Sequence, residues 1–198
     1  MNCGRLSSWA QIYAYSGGSY EVNRGGSYEV NRNIYCEYKY ASRAVYSPYA
    51  GAKEGATVRV RECALTKHNA FGIGGRFFLI TNIDDTERGF LTLTLAAVEP
   101  IAFSAVRPSV SLKENNRAQI EEAELSEFTG FLGSKYVKFE QQDPQAVIET
   151  VMILTVPKEV ELRTGDVVSG DGKSYAVTCC HPEDAYRNDY EIIRIEDA

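Results

Sequence analysis

The chain has 198 residues, 44% of them hydrophobic, and a formal net charge of −6. This composition allows one domain or two small ones with a proper core, and it excludes a disordered chain. No apolar run approaches the roughly 18 residues of a membrane-spanning helix, and an acidic chain is a poor match for nucleic-acid binding. The start of the chain lacks a signal-peptide pattern, so a cytosolic origin is expected.

Charge and tyrosine are unevenly distributed along the chain. Residues 1–60 carry seven Lys/Arg and four Asp/Glu, whereas the remainder carries fourteen and twenty-three. Nine of the thirteen tyrosines precede residue 50. Tyrosine is enriched at interfaces, so this region predicts a contact surface, although the β-propensity of tyrosine is an alternative explanation. The candidate interaction residues are Tyr20, Arg24, Tyr28, Arg32, Tyr35, Tyr38, Tyr46 and Tyr49.

The first predicted strand, residues 10–15, is followed by a perfect repeat. The octapeptide G-G-S-Y-E-V-N-R occupies residues 17–24 and again residues 25–32. Its Ser, Glu, Asn and Arg side chains leave little to bury, which favours a protruding hairpin or loop over residues 17–32 rather than core strands. A slack loop and a hairpin with two identical arms both remain open.

Alternating strands then follow one another at short spacing up to residue 96. They are predicted at residues 34–40, 56–64, 77–83 and 90–96. Successive strands without an intervening helix indicate a small barrel or sandwich, so residues 1–100 are expected to form an N-terminal β-barrel.

Residues 101–134 change character. Ser111 and Glu114 have the spacing of a capping box, and the charged stretch up to about Phe128 is rich in helix formers. We therefore expect one helix, as a linker between two β units or as an insertion in the second. The glycines at 130 and 133 would end it.

Strand patterns resume in residues 135–198, which are expected to form a C-terminal β-barrel. The most informative feature is a unit that occurs twice, in residues 74–81 and 171–178. Each copy has a turn with glycine and a basic residue, then an aromatic residue, then a strand that ends in Thr. The expected turn glycines are Gly74, Gly75, Gly170 and Gly172. The duplication predicts a mainly β fold with two small SH3-like barrels in tandem.

Residues that could perform chemistry are few, and we predict no catalytic residue, no metal site and no cofactor. Cys179, Cys180 and His181 are adjacent, so on a strand they point to alternating faces and rarely reach one ion. A Cys–His nucleophile in this context lacks glycine-framed surroundings. The glycines of residues 72–75 precede a strand and match no phosphate-binding loop.

The order of several weak motifs in the first half resembles the head-closure proteins (stoppers, or head–tail connectors) of tailed bacteriophages. The matching elements are Gly4-Arg5-Leu6, the strand at 10–15, the strand at 34–40, Val58 to Arg61, Gly74 to Ile80, Asp84 to Arg88, and Leu91-Thr92-Leu93. The second half repeats the latter part of this order. Most members of that family have one such domain, and two in one chain is a departure.

The resemblance implies a structural virion protein of a phage or prophage neck, assembled in the bacterial host cytoplasm. It would form a homo-oligomeric ring that closes the head and joins it to the tail. The implied partners are other copies of itself, a portal or adaptor protein, tail proteins, and DNA that passes through without sequence-specific binding. Alternatives are a tail-completion or tail-tube protein, or an SH3-like module that binds a peptide or glycan.

Overall fold

The computed structural model of the protein describes residues 6–17, 26–41, 52, 54–112, 118–142, 145–181 and 185–195. All the regular structure in these segments is β-strand. Within the same segments no helix has the length and apolar character needed to cross a membrane. Contacts divide the chain into two units, one of residues 1–16 and 27–100, the other of residues 17–26 and 101–198.

Barrel one is a closed sheet of six antiparallel strands in the order β1-β2-β3-β6-β5-β4, in which β4 pairs back onto β1. Its core consists of the inward side chains of all six strands, because alternate residues of a strand face opposite sides of the sheet. The strands are β1 (Ser8–Ser16), β2 (Ser27–Ala41), β3 (Gly55–Arg61), β4 (Ala70–Ile73), β5 (Arg76–Asp84) and β6 (Phe90–Val98).

Barrel two has the same connectivity. Its closed order is β7-β8-β9-β12-β11-β10, with β10 paired back onto β7. The predicted mainly β fold with two small barrels is therefore confirmed. The strands are β7 (Ile101–Leu112), β8 (Ala118–Gln142), β9 (Gln145–Pro157), β10 (Val167–Gly170), β11 (Lys173–His181) and β12 (Arg187–Ile195).

The repeated unit corresponds to the same hairpin in each barrel. Gly74 and Gly75 connect β4 to β5 with φ of 59° and 78°, and Asp171 and Gly172 connect β10 to β11 with φ of 52° and 67°. Two consecutive positive φ values make the tight two-residue turn that matches the twist of a hairpin. Gly170 has no positive φ and is the last residue of β10, so a left-handed backbone is not the reason for a glycine at this position.

The threonine that ends each copy marks a β-bulge. Thr81 is left out of the ladder between β5 and β6, and Thr178 is left out between β11 and β12. In each case the hydroxyl donates to a carbonyl of the partner strand at 3.0 Å, that of Thr94 and that of Glu191 respectively. The duplication therefore extends from sequence to an individual hydrogen bond.

The two barrels fill one equivalent interior position in opposite ways. In barrel one, Ala10 of β1 pairs with Ile73 of β4, and in barrel two, Phe103 of β7 pairs with Gly170 of β10. A Cβ on Gly170 would lie 2.4 Å from Cδ1 of Phe103, so glycine is required there because of the ring. In barrel one the smaller residue of the pair is on the first strand, and in barrel two it is on the fourth.

The expected helix between Ser111 and Phe128 is wrong, and so is the assignment of residues 101–134 to a helical linker or insertion. Residues 101–112 and 118–134 lie in β7 and β8, which pair from Ile101↔Gly130 to Leu112↔Ala118. Helix propensity is a weak preference, and pairing with a neighbouring strand overrides it. Residues 113–117 lie outside the described part of the chain.

The second octapeptide copy contributes to β2 rather than to a loop. Its residues from Ser27 onward pair with β1, beginning at Ser16↔Ser27, so only residues 17–26 connect the two strands. The ring of Tyr28 packs on Tyr15 and on Phe77 of β5, so this copy also contributes a side chain to the packing of the barrel. Residues 18–25, including Tyr20 and Arg24, lie outside the described residues.

Candidate interaction surface

A chain of aromatic rings crosses the outside of barrel one. Tyr15 packs on Tyr28, Tyr28 on Phe77, and Phe77 on Tyr13, with ring centroids 5.2, 5.3 and 5.2 Å apart. Tyr13 lies over β4, where a Cβ on Gly72 would come within 2.8 Å of its ring. These rings are half-buried against one another, so they brace the outer wall of the barrel.

Beside this chain of rings, two aromatic side chains are largely exposed. Trp9 of β1 lies opposite Tyr35 of β2, and their rings meet edge to face with centroids 5.1 Å apart. Trp9 is 51% exposed and Tyr35 is 60% exposed. Rigid aromatic side chains that are already held by a strand pair lose little conformational freedom on binding, so this pair is suited to a contact surface.

An open groove of about 460 Å³ adjoins Tyr35. Apolar side chains contribute to its wall together with charged ones, among them Arg61 and Glu62. The groove and the exposed pair together form what we call the aromatic surface. Its members are Leu6, Trp9, Asn33, Ile34, Tyr35, Val60, Arg61, Glu62 and Cys63.

A charged cluster stabilises another part of the same barrel. Arg59 of β3 donates through Nε to Oε2 of Glu87 at 2.7 Å and through Nη2 to the other carboxylate oxygen, and its guanidinium stacks 3.7 Å above the ring of Phe90. The hydrogen bond from Arg59 lowers the pKa of Glu87. Because Arg59 is held on two sides, we assign this cluster to the stability of the barrel rather than to binding.

The candidate interaction residues have different surroundings. Tyr35 is exposed, Tyr28 lies in the chain of rings, and Arg32 donates to the carbonyl of Ala64 at 2.9 Å. Tyr38 instead packs against the core beside Phe78, and burial raises the pKa of its phenol. Tyr38 is half-buried, so it presents less of its ring to solvent than Tyr35 does. Tyr46 and Tyr49 lie outside the described residues.

Trp9 was missing from the candidate residues, although the sequence contains a signal for it. Ala10 and Ile12 are both buried, and the residues of a strand alternate between two faces. Trp9 must therefore point outward. A large aromatic residue at an outward position of an amphipathic strand indicates either that another segment of the chain covers it or that it belongs to a contact surface.

Potential metal ligands come together in barrel two rather than on the aromatic surface. The side chains of Cys179, His181 and Glu191 each place one ligand atom within 4.8 Å of the other two. All three are half-buried.

Comparison with known proteins adds no family assignment, because no family model, no curated protein and no solved structure matches the chain.

Proposed function

We propose that this protein is a structural component that works by assembly, with barrel one presenting the aromatic surface to a partner. The observation that supports this is the exposed Trp9–Tyr35 pair on a closed barrel. A closed sheet has no free edges, so a partner meets its side chains rather than its backbone. Exposed aromatic residues on such a rigid body are the kind that dominate binding energy at interfaces.

The resemblance to head-closure proteins supplies the proposed setting, which is a ring in the neck of a tailed phage. Ring subunits meet through two different surfaces, head to tail, and the rotation between copies closes the ring. Two barrels of the same connectivity offer such a pair of unlike surfaces, because residues 1–100 carry eleven Lys/Arg and nine Asp/Glu whereas residues 101–198 carry ten and eighteen. Portal, adaptor and tail proteins are the proposed neighbours in the same particle.

The test uses Trp9, the single tryptophan of the chain, as its reporter. Purified protein is concentrated alone and with portal rings, and its mass, negative-stain images and tryptophan emission are recorded. We expect rings, and a blue shift of the emission as Trp9 becomes buried. Strictly monomeric protein at high concentration that never joins a portal ring would remove the support for this proposal.

A matched pair of variants distinguishes assembly through the aromatic surface from non-specific hydrophobic association. Tyr35→Ser should weaken assembly by roughly 30-fold or more, since truncating an aromatic anchor costs about 2 kcal/mol or more. Val30→Ser is the control, because Val30 is 49% exposed on β2 of the same barrel and is not a member of the aromatic surface. Equal effects of the two substitutions would show that assembly does not depend on the aromatic surface.

A second candidate function is favoured by the groove beside Tyr35. A groove of about 460 Å³ next to exposed aromatic rings could hold a short peptide or a glycan. This function predicts a monomeric protein in which a ligand shifts the NMR resonances of Tyr35 and leaves those of Tyr190, buried in barrel two, unchanged. A ligand screen that moves no tyrosine resonance would contradict it.

A further inference from the structure

Three side chains with metal-binding atoms lie on one outer face of barrel two. Cys179 and His181 are two residues apart in β11 and therefore share a face. Glu191 of β12 lies directly opposite Cys179 in the ladder. Cys179, Cys180 and His181 are adjacent in the sequence, but Cys180 points to the other face of β11, and the third ligand atom comes from Glu191 on the neighbouring strand.

The bulge at Thr178 determines the direction in which Cys179 points. Val177 is 2% exposed and faces the interior, so in a regular strand Cys179 would face the interior as well. Because Thr178 is left out of the ladder, Val177 pairs with buried Ile192 and Cys179 pairs with Glu191. Bulges commonly redirect a side chain in this way beside a functional site.

The distances suit a small divalent ion. The Cys179 sulfur, a ring nitrogen of His181 and a carboxylate oxygen of Glu191 all lie within 4.8 Å of one another, and Nε2 of His181 is 2.9 Å from Oε1 of Glu191. Ligands about 2.0–2.3 Å from a tetrahedral zinc ion lie roughly 3–4 Å apart, so small side-chain rotations would suffice. The side chains of His181 and Glu191 are 42% and 27% exposed, which leaves access for the ion and for water.

Barrel one has the same bulge without the ligands. The equivalent positions, each 97 residues earlier, are Asn82, Asp84 and Thr94. Of these, Asp84 is engaged in its own turn, where its carboxylate accepts the backbone N–H of Thr86 at 3.0 Å. Of the two equivalent sets of positions, only the one in barrel two has a thiol and an imidazole. This difference is consistent with a binding site that barrel two acquired after the duplication.

We propose that Cys179, His181 and Glu191 bind a Zn²⁺ ion, with one water molecule as the fourth ligand. Thiolate, imidazole and carboxylate are all ligands of zinc, and three protein ligands plus water form an open tetrahedral site. Binding releases the thiol proton and links β11 to β12 beside the bulge. This site is independent of the aromatic surface and of the function proposed above.

The experiment titrates the reduced full-length protein with Co²⁺, which substitutes for zinc and is visible by absorption. We expect one Co²⁺ per chain, a thiolate-to-cobalt charge-transfer band, and loss of that band when Zn²⁺ is added. Cys179→Ser should abolish the band and Glu191→Gln should weaken binding by at least about tenfold. Cys180→Ser, the adjacent control, should retain both the band and the stoichiometry.

Alkylation followed by mass spectrometry gives a second readout that needs no variant to fold. Zn²⁺ should protect Cys179 from alkylation in the unmodified protein and leave the exposed Cys180 reactive. The proposal is overturned if the charge-transfer band persists in Cys179→Ser, if it disappears in Cys180→Ser, or if Zn²⁺ changes the alkylation of neither cysteine.

Discussion

Gly170 should be among the positions in barrel two that tolerate a side chain least. A Cβ there would lie 2.4 and 2.5 Å from Cδ1 and Cε1 of Phe103 and 3.0 Å from the carbonyl oxygen of Ala102. The ring cannot move away easily, because its other edge lies against Gly130, where a Cβ would meet Cδ2 of Phe103 at 3.1 Å. Phe103 is 1% exposed and stacks on Phe128 with a centroid distance of 5.9 Å.

Gly170→Ala therefore overfills a closed interior. Overpacking of this kind costs about 1–3 kcal/mol, and we expect the upper half of that range because the ring is held on both sides. In a domain of about 100 residues this corresponds to a fall in Tm of roughly 10–20 °C. The assay is scanning calorimetry, supported by urea unfolding monitored by circular dichroism.

Two further variants identify the cause. Gly172→Ala has no neighbouring atom within 4 Å of its Cβ, so its cost should be only the roughly 1 kcal/mol of a left-handed residue. Phe103→Leu removes the ring and should reduce the cost of Gly170→Ala but leave that of Gly172→Ala unchanged. Equal costs for both alanines, or no coupling between positions 103 and 170, would refute the steric argument.

Three other outcomes are expected. Deletion of residues 25–32 should change Tm by less than about 5 °C, because the identical first copy takes the place of the deleted one in β2. The connection between β1 and β2 is then Gly-Gly, a two-residue turn suited to a hairpin. A larger fall would show that the longer connection is needed. Arg107 donates two hydrogen bonds, of 2.8 and 2.7 Å, to the buried carboxylate of Asp166. Arg107→Leu should therefore lower the free energy of unfolding in urea by about 3–5 kcal/mol, and adding Asp166→Asn to this variant should recover most of the loss. A loss below about 1 kcal/mol would contradict this. Burial raises the pKa of the Cys36 thiol from 9.0 to about 11, so the contribution of the protonated thiol to stability is complete below pH 9 and is lost as the pH rises through 11. Between pH 8 and pH 11 the free energy of unfolding should therefore fall less in Cys36→Ala than in the natural chain.

The tandem barrels could be predicted because the information is local and repeated. A turn of Gly74-Gly75 or Asp171-Gly172 requires positive φ, and the alternating residues after it can form only a strand with one buried face. The same pattern at a constant spacing indicated two copies of one fold. The predicted function stays a prediction, because assembly depends on partners that leave no such local requirement in the chain.

The wrong helix prediction and the missed proximity of Cys179 and Glu191 have a common cause, which is that pairing across the sheet is not visible in a single segment. Residues 118–128 contain good helix formers, yet they pair as a strand with β7, from Leu112↔Ala118 to Phe103↔Phe128. Likewise, Cys179 and Glu191 become neighbours only through the register of β11 with β12, which the bulge at Thr178 shifts by one residue. A search for ligands along the sequence could not have joined them.

The exchanged partners Ala10/Ile73 and Phe103/Gly170 have a consequence for how the chain folds. Repeated domains in one chain are prone to misassembly in which equivalent strands change places. A hybrid with β10 beside β1 would set Gly170 against Ala10 and leave a void, while β4 beside β7 would press Ile73 onto Phe103. We expect Phe103→Ala with Gly170→Ile, which gives both barrels the same pairing, to lower the yield of correct refolding. The reversed sizes would then let each half of a duplicated chain recognise its own strands while it folds.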